Sequence, residues 1–160
     1  MLPFFYYKNM GVIDFTRIDL MLNRAKKLSD NSAWIFSVDK DVQEEIIRIN
    51  TEEQLYEDGV DSLGRSLGDY SVFTIQEKKS NGQRYDHVTL KDSGDFYDSF
   101  TVRVTNDGWA QDADDSSKYD EPLFEVWGID VLGITDENMK YIKEMIIENY
   151  IKYVTRELLS

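Results

Sequence analysis

The sequence predicts an α+β fold in a single domain spanning 1–160: a small antiparallel sheet packed against three main helices, the last of them long. Three observations carry this reading. Apolar residues recur at helical spacing over 15–28, 40–57 and 136–158. Phe100, Val102 and Val104 alternate with Thr101, Arg103 and Thr105, the pattern of a half-buried strand, and run into Asn106-Asp107-Gly108, a hairpin turn. The 160 residues hold no repeat, low-complexity run or linker, so helices and strands share one body.

The first helix is written by Phe15, Ile18, Met21, Leu22, Ala25 and Leu28, with Asp14 as N-cap and Arg24, Lys26 and Lys27 at the end where cations suit the helix dipole. A break at 29–32 leads to Ala33–Val38, a short strand or a tight connection. The second helix runs from Lys40 to Glu57 on the stripe Val42, Ile46, Ile49 and Tyr56, and Gly59 stops it. Three glycines make Gly59–Tyr70 a loop. Val72–Lys79 reads as a short helix or an extended segment with Ser71 as a cap; Asn81-Gly82 signals a turn, and His87–Leu90 is weakly extended. The hairpin pairs Phe100–Val104 with Trp109–Ala113, and Asp114–Glu121 is a polar loop. Thr135 caps the last helix, Asp136 and Glu137 occupy its first turn, and Met139, Ile142, Ile146, Tyr150, Tyr153 and Leu158 line one face.

Composition excludes several functions. Cysteine is absent, which removes disulfides, thiolate metal sites and a cysteine nucleophile. The formal charge is −13, which opposes tight binding to nucleic-acid phosphates or anionic lipid. No apolar run approaches the roughly 18–20 residues of a membrane span. The first seven residues are aromatic but lack a basic leader and a small-residue cleavage site, so they do not read as a signal peptide. The acids cluster: 39–61 and 92–121 each hold nine acids against two bases. Between these blocks lies a basic patch of Lys78, Lys79, Arg84 and Lys91.

Chemistry-bearing motifs are sparse. Gly64-Arg65-Ser66-Leu67-Gly68 spells the G-x-S-x-G of serine hydrolases, but that chemistry needs a strand before the serine and a helix after it, and both flanks here read as loop. His87 is the only imidazole and has no partner constellation. Asp112, Asp114 and Asp115 cluster oxygens suited to a hard cation, yet Ser117 and Leu123 stand where a calcium loop wants glycine and glutamate. No phosphate-cradling or dinucleotide glycine motif occurs. No cofactor and no metal is expected.

Three segments in order carry a resemblance. The first is 55–71, with Gly59, Asp61, Gly64 and Gly68, followed by Thr74 and Lys78-Lys79. The second is Leu90-Lys91-Asp92-Ser93-Gly94-Asp95-Phe96-Tyr97-Asp98-Ser99-Phe100, and the third is Asp130-Val131-Leu132-Gly133-Ile134-Thr135-Asp136-Glu137 at the start of the last helix. Together they resemble the tailed-phage virion-morphogenesis proteins of the Mu G type, the tail-completion or neck family, over about two thirds of the chain. Ser93 stands for the family's threonine, Phe96 and Phe100 for its aliphatics, and the acidic loop 112–121 for its histidine–glutamine–phenylalanine–glycine element. These departures accommodate a neck ring of a short-tailed phage, the crAss-like group included.

The resemblance implies a structural virion protein with no active site, made in the host bacterial cytoplasm. Its subunits form a ring joining portal to tail, contacting neighbouring portal, neck and tail proteins, with DNA only as passing cargo and no membrane partner. Candidate interface residues follow from exposed chemistry. Phe4, Phe5, Tyr6 and Tyr7, in an N-terminal arm over 1–10, either cover the chain's own core or dock on a neighbour. Lys78, Lys79 and Arg84 offer a basic surface. Asp112, Asp114 and Asp115, with the helix bearing Glu44, Glu45, Glu52 and Glu53, offer an acidic one, as a head-to-tail contact requires. Two other classes stand beside this one: a small hydrolase or phosphoesterase using Ser66, His87 or the aspartate cluster, and an acidic decoy that mimics DNA.

Overall fold

The computed structural model describes residues 15–28, 37–105, 108–115 and 122–159. It is an α+β fold with one two-stranded antiparallel sheet and a long C-terminal helix. Phe4–Tyr7 and the greater part of 33–38 lie outside the described residues.

Helix α1 spans Phe15–Leu28, the limits its periodicity predicts, and lies against the last helix. Of its stripe, Met21, Leu22 and Ala25 are exposed, as is Leu20, while the side chains of Phe15, Ile18 and Leu28 lie outside the described residues. Helix α2, Lys40–Arg48, starts at Asp39, whose carboxylate accepts the Val42 N–H at 3.1 Å. It continues without a break into a π-helical stretch, Ile49–Asp58. The chain leaves this stretch at Gly59, in the left-handed region at φ 60°, where the Gly59 N–H bonds back to the Gln54 carbonyl.

Widening the turn moves the buried face. An α-helix through Val42, Ile46 and Ile49 would bury Tyr56; here Gln54 and Leu55 are the fully buried pair, and Tyr56 packs against the core only partly buried. The stretch also buries Asn50 and Thr51. Buried amides need partners. Asn50 and Gln54 find one on the strand-like approach to the last helix, where both donate to the Gly133 carbonyl, Gln54 at 3.0 Å. Gln54 Oε1 in turn accepts the Thr135 N–H at 2.9 Å and the Asn138 amide at 3.2 Å. Gly133 sits so tightly that a Cβ would fall 2.4 Å from Ser62 Cβ.

The segment Val72–Ser80 is a helix, α3, with Ser71 Oγ accepting the Thr74 N–H at 3.1 Å. His87–Leu90 makes no strand; Leu90 instead adopts φ 57°, rare for a branched side chain. A single-turn helix α4, Asp95–Asp98, follows Gly94 at φ 105°, where glycine is needed to turn the chain. Strands β1, Thr101–Val104, and β2, Trp109–Asp112, pair with Val104 opposite Trp109. Each is one residue shorter than the alternation predicts. Helix α5, Leu123–Trp127, and a 3-10 turn, Ile129–Leu132, lead to α6, Asp136–Leu159.

Two apolar clusters hold these pieces. Val42, Ile46, Ile49 and Ile142 pack with Val102, Val104 and Trp109, so the sheet lies on α2 and α6. Leu55, Leu67, Val88, Phe96, Tyr97 and Phe100 pack with Val131 and Leu132. The second cluster is aromatic: the Phe96 ring meets Phe100 edge-on at 5.0 Å and Phe124 at 6.3 Å. The helix from Lys40 to Asp58 serves both clusters, Ile46 and Ile49 to one and Leu55 to the other, with the amide row between.

Candidate interface surfaces

The loop after Gly59 is built around one buried carboxylate. Asp61 Oδ1 accepts the N–H groups of Leu63 and Arg65, each at 2.9 Å, and Oδ2 takes the Arg65 guanidinium at 2.7 Å. Arg65 reaches on to Asp130 at 2.6 Å, tying the loop to the 3-10 turn. Burial pushes the Asp61 carboxyl up, but the hydrogen bonds from Arg65 and Leu63 outweigh it and hold the group below its ordinary value.

This loop contains Ser66. Its Oγ accepts the Gly68 N–H at 3.1 Å, and its backbone bridges to Val60. A strand–serine–helix elbow is not formed. His87 is engaged elsewhere: its Nε2–H donates to the Tyr56 carbonyl at 3.0 Å, and its ring packs on the bare face of Gly59. The imidazole thus closes the end of the π-helical stretch.

The basic candidates separate on inspection. Lys78 is only 6% exposed; its ammonium donates to the Lys91 carbonyl at 2.8 Å and sits 4.9 Å from the Tyr70 ring centroid. It therefore leaves the exposed basic patch, because the inner side of α3 swallows its stem. Arg84 pairs with Glu57 at 2.6 Å and Asp86 at 2.9 Å. Lys91 pairs with Glu52 at 2.9 Å between the rings of Tyr56 and Tyr97. Lys79 remains at the surface, over Tyr85.

The acidic candidates are also partly engaged. Arg48 binds Glu45 and Glu53, each at 2.7 Å, and Lys40 binds Glu44 at 3.2 Å. Asp112 is exposed at the end of β2, the Asp114 N–H donates to Ser99 Oγ, and the Asp115 carbonyl caps α5 through Leu123. Among the described residues no three His, Cys, Asp or Glu side chains gather as a cation site, and no helix is long and apolar enough to cross a membrane.

What the sequence reading misses is exposed apolar surface. On one side, α1 and α6 present Leu20, Met21, Leu22, Ile147 and Ile151 to solvent. On the other, an open cavity of about 250 Å³ lies between α3 and α5, floored by Val88, Leu90, Leu123 and Trp127. Elsewhere on the same elements Val72 and Phe73, at the start of α3, and Val126 and Ile129, on and after α5, are exposed. A residue pattern can reveal such surface only as apolar positions in excess of a single stripe.

Comparison with family models, with curated proteins and with solved structures finds no match.

Proposed function

We propose that the protein is a structural subunit of an oligomeric ring in a phage neck or tail, joining portal to tail around the DNA passage. The observation that carries this reading is the placement of exposed large hydrophobics on two different sets of elements, α1–α6 and α3–α5. Exposed apolar groups of this kind mark interaction sites. Two unlike surfaces on one chain suit a head-to-tail contact, the kind that closes rings of identical subunits. The ordered resemblance of 55–79, 90–100 and 130–137 to the neck family supplies the setting, and the net charge of −13 suits a channel through which DNA passes without sticking.

The hydrolase alternative is poorly served by a Ser66 in a loop and a His87 spent on a backbone carbonyl. Sedimentation of the purified chain tests the choice. The ring reading expects mass to rise with concentration to one fixed multiple of the subunit. A persistent monomer that hydrolyses a generic ester or phosphodiester, and loses that activity with Ser66→Ala or His87→Ala, contradicts it.

A further inference from the structure

We propose that the α3–α5 cavity binds a small apolar monocarboxylate, of the size of phenylacetate, whose carboxyl group pairs with the Lys78 ammonium while its body lies on Leu123 and Trp127. A monomer and a ring subunit can both carry this site, so it is independent of the ring reading.

Lys78 is what points to an anion. It is the only buried cation among the described residues, 6% exposed, near the end of α3. An ammonium has three N–H donors and a charge that is costly to bury unpaired. The described residues give Lys78 one carbonyl, that of Lys91 at 2.8 Å, and the Tyr70 ring at 4.9 Å, but no carboxylate. The less buried cations Lys40, Arg65 and Arg84 each pair with one. Tyr70, Lys78 and Lys91 all line the cavity. The ammonium, held between the Tyr70 ring and the Lys91 carbonyl, therefore stands at the cavity wall and keeps two N–H donors for an occupant.

The rest of the lining sets the body of the ligand. Val88, Leu90 and Leu123 are aliphatic, and Trp127 offers an aromatic surface for a ring to pack on. The volume of about 250 Å³ falls below the roughly 300–1,000 Å³ of pockets for drug-sized molecules, so one ring with a short acid arm suits it. Lys91 offers no second anion site, because its ammonium already binds Glu52 at 2.9 Å. Glu77 and Asp92 also line the cavity, and both are exposed, where water and salt screen them. They oppose a dianion more than a monoanion, and so favour a single carboxylate on Lys78.

Nuclear magnetic resonance titration tests the site with phenylacetate and its uncharged counterpart phenylacetamide, read on the Trp127 indole N–H and the Val88 and Leu123 methyl groups. In the wild type phenylacetate should bind about tenfold more tightly than the amide, since hydrogen bonds between ionised groups are the stronger ones. Lys78→Met keeps an apolar stem and removes the charge, and should bring the two affinities within about twofold of each other. Glu77→Lys alters an exposed side chain, and should tighten phenylacetate about threefold while leaving phenylacetamide unchanged. A carboxylate preference that survives Lys78→Met, or phenylacetate shifts that fall outside the cavity lining, would overturn the proposal. Cavity resonances that move with protein concentration and ignore phenylacetate would overturn it too, and would place a second copy of the chain there. If Lys78→Met does not fold, Glu77→Lys decides: an affinity for phenylacetate equal to that of the wild type rules the site out.

Discussion

Asp61 shows how a single side chain can organise a loop that lacks regular structure. Three hydrogen bonds converge on its carboxylate, and Arg65 passes the charge to Asp130. Asp61→Ala should cost about 2–4 kcal/mol, because two N–H groups and a guanidinium lose a charged acceptor. The pH dependence has a definite sign. The carboxyl is held below its ordinary value in the folded chain, so its stabilisation is complete above the unfolded value of about 3.9 and is lost as pH falls through the folded one. Urea melts between pH 6 and 2 should show this loss in the wild type and a flatter profile in the Asp61→Asn chain.

Gly59 and His87 form the other decisive pair at this scale. A Cβ on Gly59 would stand 2.3 Å from His87 Cδ2, in a backbone conformation that already costs a side chain about 1–2 kcal/mol. Gly59→Ala should therefore destabilise strongly, and adding His87→Ala should recover part of the loss, a non-additivity readable from melting curves. The glycine was legible in the sequence as a helix stop; the imidazole lodged against it was not, since nothing local links residues 28 positions apart. Lys78 illustrates the same limit. Its charge reads as surface, and only the packing of α3 on Tyr70 and Lys91 turns it inward.

Among the elements, those with long periodic patterns were the legible ones. The limits of α1, the Ser71–Thr74 cap, the hairpin and the long α6 all follow from spacing, capping and turn chemistry, while the Asp39 cap of α2 went unread. Helices α4 and α5 were not legible, because four or five residues cannot display a period of 3.6. The π-helical stretch was hidden for a different reason. Its pattern through Ile49 fits an ordinary helix, and what accompanies the departure is a long-range contact, two amides, Asn50 and Gln54, reaching Gly133 across the chain. Gln54→Leu keeps the volume but strands the Thr135 N–H and removes a donor from Gly133, so it should cost about 2–4 kcal/mol. The start of α6 should lose amide-exchange protection before its middle does. Uniform loss along α6 would contradict this picture of a clamp.

For the whole molecule, the burial pattern divides the apolar residues into two uses. Ile46, Leu55, Val131 and Ile142 are inaccessible and build the fold. Leu22, Phe73, Ile129 and Ile151 are each more than half exposed. Burying one such side chain at a contact is worth about 1.5–3 kcal/mol, against 0–1 kcal/mol for an exposed ion pair. In a contact between subunits, apolar burial is therefore expected to supply most of the affinity and exposed charge the register and salt sensitivity. Neutralising exposed Lys79 with Lys79→Ala is accordingly expected to change assembly less than Phe73→Glu does, measured by sedimentation at matched ionic strength.

The most direct test of the central claim is negative-stain imaging of the purified chain across a concentration series, with native mass measurement on the same samples. Head-to-tail contacts between unlike surfaces predict closed rings of one copy number, built from a single repeated interface. Two-fold dimers joined through a single shared surface, or a monomer at every concentration, would contradict it.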